Sequence, residues 1–159
     1  MHCNMAAVLI VAHAPLASAL KAVAAHVYAD CAHAIEALDV VAGESPEQVR
    51  DRALALMRRG ESGREDDWLV LTDVFGATPC NAALLLSDPQ HVRVISGVNV
   101  PMLWRSLCYA DETLDAIVAR AIGGATQGVM QLAPARPPSQ SSDFARDASR
   151  DPNDHRHQQ

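Results

Sequence analysis

No run of apolar residues approaches the roughly 20 that a membrane-spanning helix needs; the longest are about the length of a strand. The N-terminus has no basic region followed by a secretory core, so a cytoplasmic protein is expected. A basic stripe is missing too: 13 Lys and Arg stand against 19 Asp and Glu, for a formal charge of -6. That balance argues against a surface that tracks nucleic-acid phosphates and against adhesion to an anionic membrane. The four cysteines, Cys3, Cys31, Cys80 and Cys108, form no Cys-x-x-Cys pair, and no paired histidines stand at zinc spacing in the folded part. Neither a metal nor a cofactor nor a disulfide framework is expected. Most histidines need no special role: His26 falls in an Ala-rich helix, His33 in the turn after it, His2 in a leader, and His155 and His157 in a polar tail.

What is present is enough for one compact core, since 159 residues with 49% hydrophobic content do not comfortably make two. The run Ala6-Ala7-Val8-Leu9-Ile10-Val11 lacks polar alternation and reads as a strand buried on both faces. His13 follows it. Ala14 then leads to Pro15, whose fixed φ and missing N–H suit the first turn of a helix, so His13 is predicted in a strand-to-helix turn. The stripe Leu16, Leu20, Val23, Ala24 and Val27 predicts that helix through Tyr28.

A second strand is predicted around Ala34 to Val41. The next helix opens with Ser45 as N-cap, Pro46 at its first position and Gln48 completing a capping box; Val49, Ala53, Leu56 and Met57 face its core and Gly60 ends it. Trp68 to Val74 is a third apolar run, with Asp73 near its end, followed by a turn at Phe75, Gly76 and Ala77 and a helix with Thr78 as N-cap. A fourth strand spans Val92 to Gly97. Pro101 to Arg120 is helical with an interruption at Tyr109 to Asp111; Gly123-Gly124 ends this helix and leaves Gly128 to Leu132 as an isolated strand. From Ala133 onward only Phe144 is large and apolar, so residues 5–132 form the domain and 133–159 a disordered polar tail.

Strands and helices alternating at this spacing imply an α/β fold, an open and mostly parallel sheet of flavodoxin-like order 2-1-3-4 with helices on both faces. Strands 1 and 3 are then neighbours, and the crevice opens between their carboxyl ends, where His13 and Asp73 meet. The helix N-termini at Pro15 and Pro79 favour an anion there. Asp73 can fix the imidazole tautomer so that the other ring nitrogen offers its lone pair, while Thr78 and the amides of the Phe75 to Thr78 turn hold phosphate oxygens. A histidine closing a strand is equally what a plain polar terminus looks like, and residues alone leave both readings open. The isolated last strand has unpaired backbone groups, which exchange between two chains removes; a homodimer follows.

Three separated segments carry a resemblance: Leu9-Ile10-Val11-Ala12-His13, Leu71-Thr72-Asp73-Val74-Phe75-Gly76-Ala77-Thr78-Pro79-Cys80-Asn81-Ala82-Ala83, and Ser96-Gly97-Val98-Asn99-Val100-Pro101-Met102-Leu103. In order and spacing they resemble the signature segments of the IIA component of the mannose family of the bacterial sugar phosphotransferase system. The resemblance implies a phosphocarrier that accepts a phosphoryl group from phospho-HPr on His13 and passes it to a IIB-type histidine. It implies a supporting Asp73, a hydroxyl at Thr78 where a serine is usual, phosphate contacts at Ala14, Phe75, Gly76 and Ala77, and a dimer or site rim at Asn99, Pro101 and Met102. Membrane contact would be indirect, through a permease. Ala14-Pro15 stands where a glycine is more usual after the histidine. Two rival readings keep the site but give it another role, either a regulatory module without sugar transport or the phosphoryl-accepting subunit of a dihydroxyacetone kinase. A metal chelatase on a similar sheet would need a second histidine or a carboxylate pair near His13, and none is apparent.

Overall fold

The apolar run that opens the chain is the centre of the sheet. The computed structural model describes residues 6–29, 34–59 and 67–134. Its first strand, β1 (Ala7–His13), is buried from Ala7 through Ala12 because it is paired on both edges and covered on both faces. Beside it lie β2 (Ile35–Val40) on one edge and β3 (Trp68–Thr72) on the other, with β4 (Val92–Ser96) outermost, all parallel in the order β2-β1-β3-β4. This is the order that the alternation of elements predicts. The register sets His13 opposite Val40 and Val11 opposite Thr72, which brings three strand ends to one edge of the sheet.

Five helices fill the connections: α1 (Leu16–Val27), α2 (Pro46–Arg59), α3 (Thr78–Leu84), α4 (Val100–Cys108) and α5 (Leu114–Gln127). Strand alternation divides them between two layers. Val8, Ile10 and Ala12 pack with Leu20, Leu103 and Ile117 on the α1, α4 and α5 side. Leu9 and Val11 pack with Val49, Ala53 and Ala83 on the α2 and α3 side. Continuing the alternation, His13 belongs to the α2 and α3 side.

Local signals place most helix starts. Ser45 and Gln48 form the reciprocal capping box, Gln48 N–H donating to Ser45 Oγ at 3.3 Å and Ser45 N–H to Gln48 Oε1 at 2.9 Å. Asn99 caps α4 by accepting the Met102 N–H at 2.9 Å. The interruption at Tyr109 to Asp111 separates α4 from α5 as expected. At α1 the entry is offset by one residue: Pro15 sits at the N-cap and Leu16 begins the helix. At α3 the expectation of Thr78 as N-cap is corrected: Ala77 is the cap, without a side-chain hydrogen bond, and Thr78 is the first helical residue. The turn is closed instead by backbone, with Gly76 at φ +81° and Ala77 N–H bonded to Val74 C=O at 3.3 Å.

Two expectations at the C-terminal end are corrected as well. Gly123-Gly124 does not end α5, which runs through both to Gln127. Gly124 is there for close approach: a Cβ on it would lie 2.3 Å from Arg105 Cγ and 3.0 Å from the Pro101 carbonyl oxygen, so α5 presses against α4. Gly124→Ala therefore overpacks the contact by ~1–3 kcal/mol, against a helix gain of at most ~1 kcal/mol. A lower melting temperature is the expected outcome of a thermal unfolding scan. The second correction is that Gly128 to Leu132 is no strand: 129–134 has no regular structure and exposes Val129, Met130 and Leu132. A strand is held by pairing, and among the described residues this segment pairs with no strand. The expected stop at Gly60 and most of the expected tail lie outside the described residues.

Candidate functional site

His13 and Asp73, sixty positions apart, meet at the carboxyl edge of β1 and β3. Asp73 Oδ2 lies 2.7 Å from His13 Nδ1 and also accepts the His13 backbone N–H at 2.9 Å, so a single carboxylate oxygen holds ring and main chain together. The other oxygen, Oδ1, accepts the Val74 N–H at 2.8 Å. The backbone beneath Asp73 is clamped from β4: Gly97, at φ +92°, donates its N–H to the carbonyls of Thr72 and Asp73 at 2.9 and 3.0 Å. Asp73 is thus a fixed support. Its side chain is only 10% exposed, while that of His13 is 55% exposed.

Burial works to raise the pKa of Asp73, but hydrogen bonds from the His13 amide, the His13 ring and the Val74 amide, with the charge attraction of His13, outweigh it and hold the carboxyl below its ordinary value. It is ionised at neutral pH. Nδ1 of His13 is committed to Asp73, whereas Nε2 has no hydrogen-bond partner among the described residues. The chemistry available is that of an imidazole with one nitrogen held by an anion and the other free to act as nucleophile.

An open cavity of about 380 Å³ surrounds this group, lined by His13, Ala14, Thr78 and the Val40 to Glu44 segment. Of the phosphate-contact candidates, Ala14 and Thr78 line it; Phe75, Gly76 and Ala77 do not, and Phe75 projects 80% exposed outside it. The α1 N-terminus lies directly beyond Ala14, and Ser18 N–H in its first turn is taken by Asp39 Oδ1 at 3.1 Å. Asn99, Pro101 and Met102 lie elsewhere, at the start of α4: Asn99 caps that helix and donates to the Ala125 carbonyl at 3.2 Å, and Met102 is buried in the α1, α4 and α5 layer. Reading the sequence missed the wall formed by Val41 to Glu44. Its signal was the strand order itself, because β2 neighbours β1 and the loop after it must share the same edge. Among the described residues no three His, Cys, Asp or Glu side chains are grouped to hold a metal ion, and no helix is long and apolar enough to cross a membrane.

A family model described as the fructose IIA component of the phosphotransferase system matches residues 7–122, the span from β1 into α5 that carries this edge. The chain belongs to this family. Among curated proteins it is 34% identical over 98 residues to the mannose-specific EIIAB component of the phosphotransferase system of Escherichia coli strain K12, covering 60% of this chain. The chain spans 30% of the length of that relative. Among solved structures it is similar to phosphotransferase component EIIA from Streptococcus agalactiae, with 26% identity, a TM-score of 0.66, and coverage of 80% of this chain and 97% of that one. The mannose/sorbose-specific IIA subunit from Enterococcus faecalis shares the fold, with a TM-score of 0.73 at 18% identity over 84% of this chain and 98% of that one. The span matched by the family model includes both His13 and Asp73.

Proposed function

We propose that this IIA-family protein is a phosphocarrier that takes a phosphoryl group from phospho-HPr onto His13 and yields it to a histidine of a IIB-type acceptor. The contact of His13 Nδ1 with Asp73 Oδ2 at 2.7 Å carries the reading, because it leaves Nε2 as the attacking atom. In the forward step the Nε2 lone pair attacks phosphorus, the Nε2–P bond forms, the donor N–P bond breaks, and the donor imidazole departs with that electron pair. Positive charge grows on the His13 ring as the bond forms, and the ionised Asp73 offsets it through the proton held on Nδ1. Phosphoryl transfer asks mainly for alignment and charge stabilisation. Thr78, whose hydroxyl can donate a hydrogen bond, lines the cavity with His13 and is the side chain available to the phosphoryl oxygens. Transfer to the acceptor is the same displacement in reverse.

The test is incubation with phosphoenolpyruvate, enzyme I and HPr, followed by intact-mass measurement. One acid-labile phosphoryl group on a peptide containing His13 supports the reading; no mass gain, with HPr itself phosphorylated, refutes it.

The exposed edge of β4 and the exposed apolar Val129, Met130 and Leu132 support a further element of this proposal, a homodimer in which residues 128–132 of each chain pair with the sheet edge of the other. Light scattering of the full chain at micromolar concentration should give twice the chain mass, and truncation after Gln127 should lower it to one. A monomer mass for the full chain contradicts the exchange.

A further inference from the structure

The cavity that His13 and Thr78 line is also lined by an acidic residue, Glu44, at the end of the Val40 to Glu44 segment. An uncompensated anion there would oppose the reaction. Glu44 is bound twice: Oε2 accepts the Val41 N–H at 2.8 Å, and Oε1 is paired with Arg52 Nη1 from α2. Arg52 reaches further, with Nη2 on the Asp39 carbonyl at 3.4 Å, and Asp39 in turn holds the Ser18 N–H at the start of α1. Ala14 N–H donates to the Val40 carbonyl at 3.0 Å. One frame therefore runs from α2 through the Val41 to Glu44 loop to both flanks of His13. The Val41 amide and Arg52, acting against burial, hold the Glu44 carboxyl below its ordinary value, so it is ionised at neutral pH.

We infer that Arg52 is a positioning residue for the phosphoryl site, which neutralises the Glu44 carboxylate on the cavity wall while pinning the loop that forms that wall. The inference rests on the His13 reading given above. Removing the Arg52 charge leaves an unpaired Glu44 carboxylate on the cavity that also holds His13, and its repulsion of a phosphoryl group acts on donor binding and transition state alike, so it appears chiefly in KM.

The experiment follows phosphorylation of the full chain by phospho-HPr across donor concentrations. Arg52→Met should lower kcat/KM about tenfold, mostly through a higher KM. Glu44→Gln in the Arg52→Met background keeps an acceptor for the Val41 N–H, removes the charge, and should restore kcat/KM to within about threefold of the starting protein. Arg52→Lys keeps the charge and should stay within the same range. An Arg52→Met variant as fast as the parent, or a double variant as slow as Arg52→Met, overturns the inference. Should Arg52→Met fail to fold, Glu44→Gln alone decides: freeing Arg52 beside the cavity should raise kcat/KM, and a fall overturns the inference. If the unmodified chain accepts no phosphoryl group, the His13 reading itself fails; if it does and these variants are unaffected, only the role of Arg52 fails.

Discussion

His13→Ala yields a protein that folds but gains no acid-labile phosphoryl group from phospho-HPr. The side chain removed is more than half exposed and lies at the end of β1, beyond the buried Ala7 to Ala12 stretch, so the core is untouched. Asp73 keeps two of its three donors, since the backbone N–H of residue 13 and the Val74 N–H remain in place. The stability change should stay within about 1 kcal/mol, the usual size of one exposed charge-assisted hydrogen bond. Loss of phosphorylation should be complete, because no other described histidine lines the cavity. A His13→Ala protein that still gains one phosphoryl group places the acceptor elsewhere.

Asp73→Asn is expected to slow transfer ~100-fold or more while leaving donor binding nearly unchanged. The amide oxygen can still accept a hydrogen bond from Nδ1–H, but it brings no charge to offset the cationic ring in the transition state, so the loss falls on kcat. The same substitution has a signature in stability against pH. The folded pKa of Asp73 is depressed, so its contribution to stability is complete above the ordinary carboxylate value of about 4 and is lost as pH falls through the lower folded value. Denaturant unfolding should therefore show the variant less stable than the parent at neutral pH and the gap closing in acid. Transfer at the parental rate would remove Asp73 from the mechanism.

The site could be read from the sequence to the extent that strand ends could. β1 and β3 are short apolar runs that end in a polar residue, His13 and Thr72, with Asp73 directly after the second, and a sheet of order 2-1-3-4 leaves only one edge where the ends of neighbouring strands make a crevice. His13 and Asp73 follow from those two facts, and the capping box at Ser45 and the break after Cys108 follow from short-range chemistry. What could not be read depends on partners distant in sequence. Gly124 looks like a helix stop, since a glycine next to a glycine commonly is one; its reason is Arg105 and Pro101 on another helix, which no local pattern reveals. Thr78 has the chemistry of an N-cap but lies one residue inside α3, because the positive φ of Gly76 lets the turn close through its own backbone. The Glu44 wall is spread over a loop of ordinary composition, and only its hydrogen bonds to Val41 and Arg52 set it apart. Residues 128–132 have the composition of a strand, and composition does not supply the neighbour that a strand requires.

The proposed mechanism requires phosphorus on Nε2 of His13, because Asp73 lies 2.7 Å from Nδ1. A long-range proton–nitrogen NMR correlation spectrum of the phosphorylated protein tests this requirement. The expected spectrum has phosphorus on Nε2 of His13 with Nδ1 still protonated toward Asp73; phosphorus on Nδ1, or on a residue other than His13, would contradict the proposed mechanism.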